Sequence, residues 1–139
     1  MNAFRQALVI LAVTLIPSVL TAAFHPRRPA WVQAREGEVS LTTVREWGPA
    51  VLWVDARPQA EYQAQHVPGA IALSLEDWEI ELPRFLDQWD SNRKVVVYCS
   101  STTCELSHEV GERLKQNGIS SVYVLQGGWD TLRESGIVR

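Results

Sequence analysis

Apolar and polar positions along this chain follow two alternating periods. Short apolar runs, the pattern of buried strands, occur at residues 51–55, 70–73, 94–98 and 122–125. Between these runs apolar residues recur every three or four positions, which predicts helices over residues 41–47, 59–64, 75–89 with a break at Pro83, 104–117, and 129–134. Strands that alternate with helices form a mostly parallel sheet with helices on both faces, so the sequence predicts an α/β domain over residues 38–139.

One cysteine lies between a predicted strand and a predicted helix. Cys99 ends the run of residues 94–98, and four small hydroxyl residues follow it before the helix that carries Leu106, Val110 and Leu114. A helix N terminus presents free N–H groups and a partial positive charge, and both favour the reactive thiolate. Because chemistry in open α/β sheets gathers at the carboxyl ends of strands, we expect a reactive Cys99 rather than a structural core cysteine.

The N-terminal region, residues 1–25, has a different character. Ala7 to Phe24 is an apolar run without charge, and as a helix it would span about 27 Å, close to the roughly 30 Å of a hydrocarbon core. Arginines lie on both sides of the run, which favours an uncleaved single-pass anchor in a membrane, by expectation a bacterial inner membrane. A cleaved signal peptide stays open, because residues 21–23 fit a cleavage site, and it would leave a secreted or periplasmic domain. Residues 26–37 are interpreted as a linker.

Composition argues against several classes of function. Residues 36–139 contain nine basic and sixteen acidic residues, a net charge of −7, which disfavours nucleic acid as a partner. Two cysteines make neither a disulfide framework nor a zinc site, and the three histidines show no metal-ligand spacing with them. We therefore expect no metal and no cofactor, and a monomeric domain.

Five short motifs follow one another over roughly residues 38–137. They are Val54-Asp55-Ala56-Arg57, Glu61-Tyr62, His66-Val67-Pro68-Gly69-Ala70-Ile71, Val96-Val97-Tyr98-Cys99 and Val122-Tyr123-Val124-Leu125-Gln126-Gly127-Gly128-Trp129. In these motifs and their order the chain resembles a rhodanese domain, of the sulfurtransferase family. The resemblance implies that the Cys99 thiolate accepts sulfane sulfur from a small donor, becomes a persulfide, and passes the sulfur to a thiol or protein acceptor.

The remaining candidate residues are expected to bind the anionic sulfur or to hold the site in place. The loop after Cys99 is expected to curl so that its N–H groups form an anion-binding nest; its residues are Ser100, Ser101, Thr102, Thr103 and Cys104. Structural support is expected from Asp55, which fixes a neighbouring loop, from Arg57, which pairs with Glu61 one helical turn on, and from His66, which fixes a turn. His108 is expected to be a solvated side chain.

The loop departs from the common form of the family. Many members have an arginine five positions after the cysteine, where this chain has Cys104, and Glu105 follows. No lysine or arginine lies between Cys99 and Arg113, so the dianion thiosulfate should bind poorly, whereas persulfide or thiol substrates remain suitable. A phosphatase or arsenate reductase of the related Cys-x5-Arg type is disfavoured, because Glu105 takes the place of the arginine that binds the oxyanion.

Two other functions compete with sulfur transfer. One is a membrane-tethered thiol redox module that uses Cys99 and Cys104, and the other is a non-catalytic docking domain with the same fold. If the loop amides converge on the Cys99 sulfur, the loop side chains must point away from it. We therefore predict that Cys104 is not bonded to Cys99 in the resting protein.

Overall fold

The computed structural model describes residues 35–100 and 105–138. Within them a five-stranded sheet has the order β1-β5-β4-β2-β3, and every pairing is parallel. Its strands are β1 (Glu38–Val39), β2 (Val51–Asp55), β3 (Ile71–Ala72), β4 (Lys94–Tyr98) and β5 (Val122–Leu125). The predicted α/β fold with a parallel sheet is confirmed.

Within the described residues four α-helices connect these strands and a fifth follows β5. They are α1 (Leu41–Trp47), α2 (Gln59–Ala64), α3 (Trp78–Gln88), α4 (Leu106–Gln116) and α5 (Gly128–Glu134). Ser40 caps α1, because its Oγ accepts the N–H of Thr43 at 3.2 Å. Gly118, at a φ of +91°, follows the end of α4 in a conformation that favours glycine.

The two faces of the sheet carry separate apolar clusters, as the alternation of side chains along a strand requires. Helices α3 and α4 cover one face, where the buried residues include Phe85, Val95, Val97, Cys99, Val110 and Leu114. Helices α1 and α5 cover the other face, where they include Val44, Val96, Tyr98 and Leu132. Cys99 and its chain neighbour Tyr98 therefore belong to opposite layers, and the cysteine belongs with α3 and α4.

Two features of the local structure differ from the sequence-based expectations. Strand β1 was not predicted; it begins at Glu38, the first residue of the predicted domain, and pairs with β5 at the edge of the sheet. Helix α3 begins at Trp78 and runs through Pro83 without a break. A proline here removes one helical hydrogen bond, to the carbonyl of Glu79, and both residues are exposed to water. Buried Trp78 and Phe85 hold the helix against the sheet.

The predicted anchor at residues 7–24 and most of the predicted linker lie outside the described residues. Within the described ranges, no helix combines the length and the apolar character needed to cross a membrane.

Candidate active site

Cys99 directly follows β4, which lies in the middle of the sheet between β5 and β2. The residue is buried, with 1% of its surface exposed. Its carbonyl oxygen accepts the N–H of Trp129, in the first turn of α5, at 2.7 Å. The cysteine is thus fixed at the carboxyl edge of a parallel sheet, where the sequence placed it.

The Cys99 sulfur forms a disulfide bond. The other cysteine of the sequence, Cys104, lies outside the described residues, so the prediction that it is not bonded to Cys99 stays a prediction.

A serine hydroxyl lies beside this sulfur. The Oγ of Ser107 is 3.5 Å from the Sγ of Cys99, and Ser107, in the first turn of α4, is only 3% exposed. Sequence reasoning missed this residue because it assigned Leu106 to the buried face, whereas Leu106 is 41% exposed. The signal was present: residues 107, 110, 111 and 114 have the spacing of one helical face, and all four are buried.

Each of the two described ends of the loop makes a side-chain hydrogen bond to another part of the domain. Ser100 Oγ donates to Glu61 Oε2 at 3.2 Å. At the other end, Arg35 Nη1 donates to Glu105 Oε1 at 2.9 Å, and this hydrogen bond and the charge of Arg35 lower the pKa of Glu105. Residues 101–104 lie outside the described residues, so the amide nest stays a prediction.

A buried ion pair lies at the end of the neighbouring strand, β2. Arg57 donates two short hydrogen bonds to Asp55, from Nε to Oδ1 at 2.9 Å and from Nη2 to Oδ2 at 2.7 Å. Both side chains are almost fully buried. Burial by itself lowers the pKa of Arg57. The hydrogen bond to Asp55 and the negative charge of Asp55 outweigh this effect, so the pKa of Arg57 lies above its ordinary value. Glu61, the predicted partner, lies 3.6 Å from Nη1 and is 46% exposed, so Asp55 is the main partner.

Two aromatic residues complete this group. Tyr98 donates its hydroxyl to Asp55 Oδ2 at 2.8 Å and accepts the N–H of Val67 at 3.2 Å. Burial, and then the charge of Asp55, raise the pKa of Tyr98 well above its ordinary value. The guanidinium of Arg57 lies 3.8 Å from the ring centroid of Trp129, whose backbone N–H binds the Cys99 carbonyl. The predicted support residues are therefore connected to the strand end that carries Cys99.

The two described histidines, His66 and His108, have local partners. The Nδ1 of His66 is 2.8 Å from the carbonyl oxygen of Tyr62, and the two rings are stacked with centroids 4.1 Å apart, an arrangement suited to fixing a turn. The Nε2 of His108 lies 3.1 Å from Glu38 Oε1. His108 is thus not simply solvated, because the unpredicted strand β1 brings Glu38 beside α4. Within residues 35–100 and 105–138, no cluster of potential ligands could hold a metal ion.

Residues 41–135, most of the chain, match the sequence pattern of the rhodanese-like domain family. The chain belongs to the rhodanese-like domain family. The solution structure of a rhodanese-like domain from Anabaena sp. is 25% identical, with a TM-score of 0.59 over 72% of this chain and 75% of that one. A rhodanese-related protein from Thermoplasma volcanium, 18% identical with a TM-score of 0.58, covers 71% of this chain and 92% of its own, and it shares the fold.

Curated relatives of this rhodanese-like domain are longer proteins. The tRNA uridine(34) hydroxylase of Sodalis glossinidius is 31% identical over 83 residues, which are 58% of this chain and 23% of that protein. The protein of the same name from Yersinia pestis is also 31% identical over 83 residues, 22% of its length. This chain thus matches less than a quarter of the length of these relatives.

Proposed function

We propose that this rhodanese-like domain is a sulfurtransferase that carries sulfane sulfur as a persulfide on Cys99. The place of the sulfur supports the proposal most directly. Cys99 lies at the carboxyl end of the central strand, and its Sγ is 3.5 Å from a buried hydroxyl in the first turn of α4. A helix start and a nearby donor both stabilise an anionic sulfur, which is the form that reacts.

The reaction has two steps that balance without net oxidation. In the reduced protein, the Cys99 thiolate attacks the outer sulfur of a persulfide donor, the S–S bond of the donor breaks, and the donor thiolate leaves with the electron pair. An acceptor thiolate then attacks the outer sulfur on Cys99, and the Cys99 thiolate leaves. The disulfide-bonded protein must first be reduced by a dithiol, which gives up two electrons and two protons and becomes a disulfide itself.

Mass measurement tests the proposal. The full chain is reduced, freed of reductant and exposed to a persulfide donor. The expected result is a gain of one sulfur atom, located on Cys99 by peptide mapping and lost when an acceptor thiol is added. A reduced, folded protein that gains no sulfur on Cys99 would refute the assignment.

A second candidate function is supported by the disulfide at Cys99. A thiol redox module would exchange this bond with a dithiol partner, and its two cysteines would cycle between dithiol and disulfide. Rapid exchange of disulfides without any gain of sulfur from the donor would favour this function. A docking domain would show neither reaction.

Hydroxylation of a tRNA uridine, which the name of the curated relatives describes, is not proposed for this chain. The match covers about a quarter of those proteins. The net charge of −7 over residues 36–139 also disfavours a polyanionic substrate.

The charges around Cys99 suggest a class of sulfur donor. Arg57 is already neutralised by Asp55, and the Arg35 charge is neutralised by Glu105, so the Glu61 carboxylate remains as an excess negative charge. Glu61 accepts a hydrogen bond from Ser100, the residue next to Cys99. We therefore propose donors with one negative charge or none, such as organic persulfides, in preference to the dianion thiosulfate.

Replacing Glu61 with glutamine is expected to improve the use of thiosulfate. Loss of the repulsive charge should raise kcat/KM for thiosulfate by about five- to tenfold at low ionic strength. The rate with an uncharged persulfide donor should stay within about twofold, because no full charge is repelled. Steady-state kinetics with both donors measure the difference, and added salt should reduce it.

Glu134→Gln is the matched control, because it removes the same charge from the exposed C-terminal end of α5. This variant should use both donors as the unmodified protein does. Equal thiosulfate kinetics for Glu61→Gln and Glu134→Gln would contradict the assigned role of Glu61.

We also propose that residues 7–24 anchor the domain in a membrane, because this apolar run is uncharged and is flanked by arginines. The full chain is expected in the membrane fraction, and a chain beginning at Glu36 in the soluble fraction. Immunoblotting of separated fractions measures both. Full-length protein of unprocessed mass in the soluble fraction would contradict the anchor, and a shortened protein would indicate a cleaved signal peptide.

A further inference from the structure

A buried hydroxyl faces the reacting sulfur from the first turn of α4. Ser107 Oγ lies 3.5 Å from Cys99 Sγ, within the distance of a hydrogen bond to sulfur, and both residues are almost completely buried. The loop that follows Cys99 offers no lysine or arginine before Arg113. An anionic sulfur here therefore has to be stabilised by neutral donors.

The position of Ser107 is set by how closely α4 approaches the sheet. Gly111, one turn further along the same face, has no side chain, and a Cβ there would lie 3.6 Å from methyl groups of both Val122 and Val124. Val110 and Leu114 on that face are fully buried. The helix is thus held against β5, and the hydroxyl is presented to Cys99 by a rigid element rather than by the loop.

We propose that Ser107 is a catalytic residue whose hydroxyl donates a hydrogen bond to the Cys99 sulfur whenever that sulfur is anionic. The inference rests on the proposed function, because it takes Cys99 as the reacting group. Cys99 is an anionic nucleophile when it attacks the donor, and it becomes an anionic leaving group when the acceptor removes the outer sulfur. A hydrogen bond to a charged acceptor is stronger than one to a neutral acceptor, so the donor contributes in both steps.

A purely structural role gives a different expectation. A serine within a helix commonly returns its hydroxyl hydrogen to the carbonyl four residues earlier. In that arrangement Ser107 would shape the start of α4 and would leave the reactivity of Cys99 unchanged. The two roles therefore differ in the pH dependence of the thiol, not in stability alone.

The test measures the reactivity of Cys99 in the reduced full chain. Iodoacetamide alkylation is followed as a function of pH, and peptide mass mapping separates Cys99 from Cys104. For Ser107→Ala we expect the midpoint of the pH profile to rise and the alkylation of Cys99 at mildly acidic pH to slow by about tenfold. Alanine favours helix formation, so this variant should fold.

Ser74→Ala is the matched control, since it also removes a buried hydroxyl, one that interacts with Glu81 and Asp77 rather than with the sulfur. It should lower stability and leave the pH profile of Cys99 unchanged. If Ser107→Ala does not fold, Ser107→Thr and Ser107→Val provide a pair of similar shape with and without a hydroxyl. The inference would be overturned if Ser107→Ala folds and its pH profile of Cys99 alkylation matches that of the unmodified protein. It would equally be overturned if Ser107→Val and Ser107→Thr show the same pH profile.

Alkylation needs no sulfur donor, so the two proposals can fail separately. A shifted pH profile in Ser107→Ala, together with no sulfur gain in the unmodified protein, would refute the proposal of sulfur transfer. The role of Ser107 as a hydrogen-bond donor to the thiolate would still stand. Sulfur transfer with an unshifted profile would remove only the role of Ser107.

Discussion

Replacing Cys99 with serine is expected to abolish sulfur transfer and to leave the fold intact. A serine hydroxyl is not ionised at neutral pH and cannot hold sulfur as a persulfide, so the rate should fall by more than about a thousandfold. Serine is close to cysteine in size, so the packing around residue 99 should change little. Transfer from a persulfide donor to a thiol acceptor measures activity, and circular dichroism measures the fold.

Cys104→Ser is the informative companion to this variant. It removes the second cysteine of the chain and with it any disulfide within one chain. A sulfurtransferase that works through Cys99 alone should keep its activity in this variant, whereas a thiol redox module should lose disulfide exchange in both. Sulfur transfer by Cys99→Ser at the rate of the unmodified protein would contradict the assignment of the nucleophile.

The strands that the sequence predicted well are those whose side chains are buried on both faces. Strands β2, β4 and β5 were assigned with the bounds that the structure has, because an apolar run bounded by polar residues is a signal that lies in the side chains. Strand β1 was missed because it is held at the sheet edge through its backbone. Val124 N–H donates to Gly37 at 2.9 Å and Gln126 N–H to Val39 at 3.0 Å, and such bonds leave no pattern in the sequence.

The candidate site could be predicted as far as local sequence determines it. The place of Cys99 follows from one strand and one helix, and the sequence identified it. The partner of Arg57 depends on tertiary burial: helical spacing indicated Glu61, but the deeply buried carboxylate is Asp55, which the end of β2 places beside it. Ser107 was missed for a related reason, since a serine beside a leucine is usually taken as the exposed residue of the two.

Replacing Arg57 with alanine is expected to destabilise the domain strongly. The variant leaves the Asp55 carboxylate buried with Tyr98 as its remaining side-chain partner, and removing one member of a buried ion pair costs about 3–5 kcal/mol of unfolding free energy. For a domain of this size the melting temperature should fall by roughly 15–30 °C. The stacking of the guanidinium on Trp129 is lost as well. Thermal and urea unfolding followed by circular dichroism measure the change.

Glu61→Ala is the control that separates the two possible partners of Arg57. The contact of Glu61 with Arg57 is longer, at 3.6 Å, and the Glu61 side chain is about half exposed, so its removal should cost less than about 1 kcal/mol. Asp55→Asn combined with Arg57→Ala removes the uncompensated charge, and the double variant should be more stable than Arg57→Ala alone. Equal losses for Arg57→Ala and Glu61→Ala would contradict the conclusion that Asp55 is the main partner. If Arg57→Ala does not fold, Arg57→Lys replaces it as the test, because it keeps the positive charge. Lysine cannot form the bidentate contact that arginine makes with both carboxylate oxygens. Arg57→Lys should therefore still be clearly less stable than Glu61→Ala.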